Sequence, residues 1–98
     1  MVVEIAQFKA KAGVSDNDLL AASQEAHDGY LSKCKGFVSR ELLKSDDGTW
    51  IDIVRFKTIE DAQVAANNFL TSPSTKAFEN AIDISTAKMM HLNIAKKY

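Results

Sequence analysis

Residues 37–62 read F-V-S-R-E-L-L-K-S-D-D-G-T-W-I-D-I-V-R-F-K-T-I-E-D-A, and this stretch decides the fold. Two β-rich runs, residues 37–45 and 49–57, are separated by Asp46, Asp47 and Gly48. Asp-Gly at that place is a strong hairpin signal because both residue types tolerate positive φ, so the runs form an antiparallel pair. Thr58 then stands where a helix N-cap belongs. Glu60 and Asp61 place negative charge in the first turn, and Ile59, Ala62, Ala66 and Phe69 mark one apolar side.

Upstream of the hairpin, residues 2–9, V-V-E-I-A-Q-F-K, are short and β-rich, which predicts a first strand. Ser15 reads as a cap, and Leu19, Leu20, Ala26, Tyr30, Leu31 and Cys34 recur at helical spacing, predicting a helix that stops near Gly36. Downstream, Pro73 suits the first turn of a short helix over 73–82, and residues 84–94 predict a last strand. The order is βαββαβ. That is a ferredoxin-like α+β pattern: one domain over residues 1–98, with helices on one face of a four-stranded antiparallel sheet ordered 4-1-3-2.

Strand side chains alternate between faces, so Trp50, Asp52, Val54 and Phe56 share one side and Ile51, Ile53 and Arg55 the other. Both sides of the sheet read as apolar. Val3, Ile5, Val38, Leu42, Ile51, Ile53, Met90, Leu92 and Ile94 fall on one, and Phe8, Phe37, Leu43, Trp50, Val54, Phe56 and Met89 on the other. Helices cover only one of them. The uncovered face predicts a homodimer packed sheet against sheet, each protomer burying about 800 Å² or more.

A chain of 98 residues with 46% hydrophobic composition suits a single small core. Twelve basic and thirteen acidic residues, spread along the chain, leave a net charge of −1 and no electrostatic footprint for nucleic acid or a membrane surface. The N-terminal residues lack the basic-then-apolar layout of a signal peptide, and no apolar run approaches a membrane span, so the expected location is cytoplasmic. Cys34 stands alone, which excludes an internal disulfide and reads as a packed thiol. Two histidines without ligand spacing predict no metal site, and the lack of a glycine-rich phosphate loop predicts no nucleotide cofactor.

With G-F-V-S-R-E-L-L, D-D-G-T-W-I-D-I-V-R-F-K-T-I-E-D-A and T-S-P-S-T-K-A-F in this order, the chain resembles the dimeric α+β barrel superfamily, and within it the antibiotic biosynthesis monooxygenase-type domains. Lys35-Gly36-Phe37 and the Phe56–Ala62 junction match recurrent features of that group. The resemblance implies a pocket between sheet and helices, and it covers cofactor-free quinone-forming oxygenases, haem-degrading oxygenases and dimers without catalysis. Where the quinone-forming relatives carry an asparagine, a tryptophan and a tyrosine, this chain has Asp52, Phe56 and Ala62. Where the haem-degrading relatives carry an asparagine, a tryptophan and a histidine, Gln7, Phe69 and Glu79 fall at or near those places, so the resemblance does not extend to haem handling.

By parity, the face bearing Asp52 is also expected to carry Glu4, Ser39, Glu41, Trp50, His91 and Asn93, with Glu4 on the strand between those of His91 and Asp52. Titratable groups converging on an apolar concavity suit general acid–base chemistry. Asp52 and His91 are the candidate catalytic proton acceptors, and Trp50, Phe56, Glu4 and Glu41 the candidate substrate contacts. The expected ligand is a small aromatic, oxidised by dioxygen without a cofactor. Against this stand plainer readings: Trp50 as a packing residue, Glu4 and Glu41 reaching solvent, Asp52 and His91 in structural ion pairs, and the whole chain as a non-catalytic dimeric barrel.

Overall fold

The computed structural model describes all 98 residues. Its strands are β1 (Val2–Ala10), β2 (Phe37–Lys44), β3 (Thr49–Phe56) and β4 (Ile82–Asn93), and its helices α1 (Asp16–Gly29), α2 (Ile59–Asn68) and α3 (Lys76–Ala81). The sheet is antiparallel throughout, in the order β2-β3-β1-β4. Local chemistry sets most of these boundaries. Ser15 and Thr58 cap α1 and α2 by accepting hydrogen bonds from the Asp18 and Asp61 N–H groups, each at 3.1 Å. In the hairpin, the Gly48 N–H donates to the Ser45 carbonyl, and only Gly48 takes a positive φ, +87°. Asp47 uses its carboxylate instead, accepting from the Thr49 N–H at 3.0 Å and from the Ser45 hydroxyl, contacts that hold its pKa down to about 2.

Helix α1 ends earlier than its spacing predicts. It stops at Gly29, and the chain passes through a 3₁₀ turn at Leu31–Lys33 before entering β2. Tyr30 leaves the helical region, and its hydroxyl donates to the Ala65 carbonyl of α2 at 2.6 Å. A Cβ on Gly29 would lie 2.1 Å from the Ser74 hydroxyl, so the missing side chain lets the Pro73–Thr75 turn approach the helix end.

Two irregularities reshape the sheet. Between Phe37 and Ser39, β2 uses two residues against one step of β3, a bulge that reverses the strand's parity. Beyond it Arg40 and Leu42 lie opposite Val54 and Asp52 on the helix side. Ser39, Glu41 and Leu43 pair with Arg55, Ile53 and Ile51 on the open side. The expected placements of Ser39, Glu41, Leu42 and Leu43 are therefore inverted. In β4 the register passes from Lys88 opposite Gln7 to Asp83 opposite Lys9, so residues 84–87 bow out of the ladder. Thr86 Oγ1 fills the gap by accepting from the Lys9 N–H at 2.9 Å.

All helices cover one face. Phe8 and Trp50 pack beneath α1 and α3, joined by Phe78 of α3 itself, and Val54 and Phe56 lie beneath α2. At about 25 cal/mol per Å² these aromatics supply much of the stabilisation, and Phe8 and Phe78 meet edge to face at 5.6 Å. The opposite face carries no helix. Val3, Ile5, Ile51 and Ile53 are half-buried there, and Leu43, Met90 and Leu92 are 44%, 55% and 43% exposed.

Candidate functional site

A cavity of about 280 Å³ lies between the sheet and the helical layer. Its floor is Glu4, Ala6 and Phe8 of β1 with Asp52 and Val54 of β3. Ala65, Ala66, Phe69, Leu70 and Phe78 roof it, and the bowed start of β4 supplies Ile82, Ile84, Ala87 and Met89 at its edge. Thirteen of its eighteen lining residues are hydrophobic, which suits an apolar ligand. A more open cleft of about 430 Å³ lies between residues 29–35 and α2. Its Tyr30 hydroxyl and Cys34 thiol are both engaged with backbone carbonyls, and burial raises the pKa of each. That keeps the thiol protonated and unreactive, so the apolar cavity is the better candidate.

Two polar centres border the cavity. In the first, Arg40 grips Asp52 from β2: Nε donates to Oδ1 at 2.9 Å and to Oδ2 at 3.2 Å, and Nη2 donates to Oδ2 at 2.8 Å. The guanidinium also donates to the Ser23 carbonyl at 3.1 Å and the Ser23 hydroxyl at 2.8 Å, and it lies 5.5 Å from the centre of the Phe78 ring. The side chains of Arg40 and Asp52 are 5% and 7% exposed. Asp52 does line the cavity, as parity predicts, but its carboxylate is committed to a bidentate ion pair. Accepting a proton would leave the buried guanidinium without its counter-charge, so Asp52 is poorly suited to act as a base.

In the second centre, His91 Nε2 of β4 lies 2.9 Å from Glu4 Oε1. Glu4 is 6% exposed and lines the cavity, whereas His91 sits behind it, its side chain 19% exposed. Burial raises the pKa of Glu4, as does the Asp52 charge, against a lowering by His91. No hydrogen bond engages Glu4 Oε2. No side-chain polar atom in the protein is both buried and unpartnered, so this free oxygen keeps some accessible surface, and its residue lines the cavity.

The remaining candidates divide plainly. Trp50, 4% exposed, and Phe56, fully buried, belong to the core and do not line the cavity. Glu41 points to the other face of the sheet, paired with Arg55 at 3.1 Å. Helix α1 contributes no wall residue, whereas α2, α3 and β4 do. Arg40 escaped the sequence reading because the bulge turns it inward. An arginine placed among the apolar residues of β2 is the one signal that could have marked it. Gln7, Phe69 and Glu79, singled out by the resemblance, all line the cavity.

No protein-family model and no curated protein matches the sequence. Solved structures do match in shape. SnoaB, described as a cofactor-independent oxygenase from Streptomyces nogalater, superposes with a TM-score of 0.76 at 15% identity over 98% of this chain and 94% of its own. A protein described as an antibiotic biosynthesis monooxygenase gives 0.70 at 12% identity over 98% and 100%. A variant of MhuD with two manganese protoporphyrin IX molecules bound per active site gives 0.73 at 18% identity over 100% and 98%. At these identities the likeness is one of fold, and the chain has the ferredoxin-like βαββαβ fold of the antibiotic biosynthesis monooxygenase-like proteins.

Proposed function

We propose that this protein binds a small apolar aromatic in the cavity and acts as a cofactor-independent monooxygenase, with Glu4 as proton acceptor and His91 as its partner. The observation that carries the reading is the Glu4–His91 pair at the wall of an apolar cavity, with one carboxylate oxygen free. A carboxylate whose pKa is raised by burial is a stronger base than one in water, which suits removal of a proton from a hydroxyl or activated CH₂ group. The resulting carbanion or phenolate donates an electron to dioxygen, and recombination forms a carbon–peroxide bond. Loss of water then leaves a carbonyl, so CH₂ plus O₂ becomes C=O plus H₂O: the carbon gives up four electrons and dioxygen takes four. The oxygenase description of SnoaB, on the same fold, agrees with this chemistry.

The test is oxygen consumption with hydroquinones, naphthols and anthrones under metal-free conditions. Glu4→Gln is expected to lower turnover about 100-fold or more, the usual contribution of a general base, while leaving binding of the bare ring intact. Wild-type rates equal to buffer across the panel, with no member bound, would leave the non-catalytic barrel as the reading.

A second copy of this chain is the proposed cover for the open sheet face. Ile5, Ile51, Ile53 and Leu92 form an apolar patch flanked by the Arg55–Glu41 pair, a surface able to meet itself about a two-fold axis. Light scattering at micromolar concentration should give twice the chain mass of 10.8 kDa, and a monomer would refute the assembly.

A further inference from the structure

The cavity is lopsided in charge. Its acidic wall residues are Glu4, Asp52 and Glu79, and its only cationic one, Lys88, sits on the exposed edge of β4. Arg40, the nearest buried cation, commits four of its five N–H groups to Asp52 and Ser23 and does not line the cavity. Glu79 has Lys76 beside it at 3.4 Å. Glu4 therefore presents a buried carboxylate acceptor on the floor of an apolar cavity, since His91 occupies Oε1 and Oε2 carries no hydrogen bond. An anion entering would meet this carboxylate without a free cation to offset its desolvation, whereas a neutral hydroxyl would meet a charged acceptor where water is scarce.

Resting on the reading that the chamber holds small aromatics, we infer that Glu4 makes it charge-selective: neutral rings bearing an O–H donor are retained, and ring anions are excluded. His91 is a positioning residue in this scheme, holding one carboxylate oxygen so that the other faces the ligand. Glu4 is surrounded by His91 from β4, by Asp52 from β3 with Arg40 from β2, and by the more distant Tyr30 and Cys34 on the helical side. Apart from Arg40, already neutralised by Asp52, and His91 when protonated, nothing facing Glu4 is cationic.

Calorimetric titration of the full chain with 2-naphthol, naphthalene and naphthalene-2-sulfonate tests this, because the three share a ring system and the sulfonate stays ionised at every working pH. At neutral pH the naphthol is expected to bind at least about tenfold more tightly than the sulfonate, with naphthalene between them. Glu4→Gln should bring naphthol and sulfonate within about threefold of each other while leaving naphthalene unchanged. In the wild type, acidification through the Glu4 titration removes the wall's charge but not the sulfonate's. Sulfonate binding should then strengthen, and Glu4→Gln should lose most of that response. If the variant fails to fold, the wild-type pH series decides alone. A sulfonate bound as tightly as the naphthol, or a naphthol no tighter than naphthalene, overturns charge selection while the aromatic cavity stands. Failure of all three to bind overturns both.

Discussion

Glu4 and Asp52 are neighbours on the same face of the sheet, almost equally buried at 6% and 5% exposed, and both line the cavity. Burial thus cannot be what separates them; their partners do. Asp52 meets a guanidinium in bidentate geometry, with both oxygens occupied and the charge cancelled within hydrogen-bond distance. Glu4 meets a partly exposed imidazole through one oxygen, keeps the other free, and has its pKa raised chiefly by desolvation. One carboxylate is a strut between sheet and α1. The other is available for chemistry, and equal burial gives opposite roles when the counter-ion differs.

The sharpest way to break this contrast is to remove Arg40. Arg40→Ala leaves Asp52 buried and unpaired, and should destabilise the fold by about 3–5 kcal/mol in urea denaturation. Replacing both members together, Arg40→Met with Asp52→Leu, should recover most of that loss, because the attraction in a buried pair mainly offsets its own desolvation. A loss under about 1 kcal/mol for Arg40→Ala would show that Asp52 is not locked.

The Glu4 half predicts a smaller effect with a definite sign. A group whose folded pKa lies above its unfolded value binds more protons in the native state across the window between the two. Its contribution to stability is full below the ordinary carboxylate value of 4.5 and is lost as pH rises through the raised one. Urea midpoints across that window should therefore fall with pH more steeply in wild type than in Glu4→Gln. Identical slopes would mean that Glu4 titrates as though in water.

The smallest effect concerns His91, whose hydrogen bond and charge lower the pKa of Glu4 against the dominant desolvation. His91→Leu should move the Glu4 titration further upward, read by NMR of the side-chain carboxyl carbon. A downward move would mean that the imidazole does not support the ionised carboxylate.

Much of this architecture is legible along the chain. The capping residues Ser15 and Thr58, the Asp-Gly turn and the strict alternation through β3 are interactions between residues close in sequence, and each one lies where those local signals put it. The same alternation places Glu4, Asp52 and His91 together, since β1, β3 and the second half of β4 pair without interruption there. Trp50 and Phe56 share that parity, yet they are core. Parity tells which face a side chain takes, not whether a helix closes over it.

What the amino-acid sequence determined by itself is thus the order of elements, their caps and turns, and the face of each regularly paired strand, because these depend on neighbours a few residues apart and on a period of two. The tertiary structure alone decided the bulge at Phe37–Ser39, and with it the inward turn of Arg40 and the outward turn of Glu41. A bulge arises from matching two strands to each other and to the helices above them, and one extra residue reverses every side chain beyond it. That reversal brought a guanidinium to Asp52, while Glu4, held by His91 through one oxygen, keeps the other free.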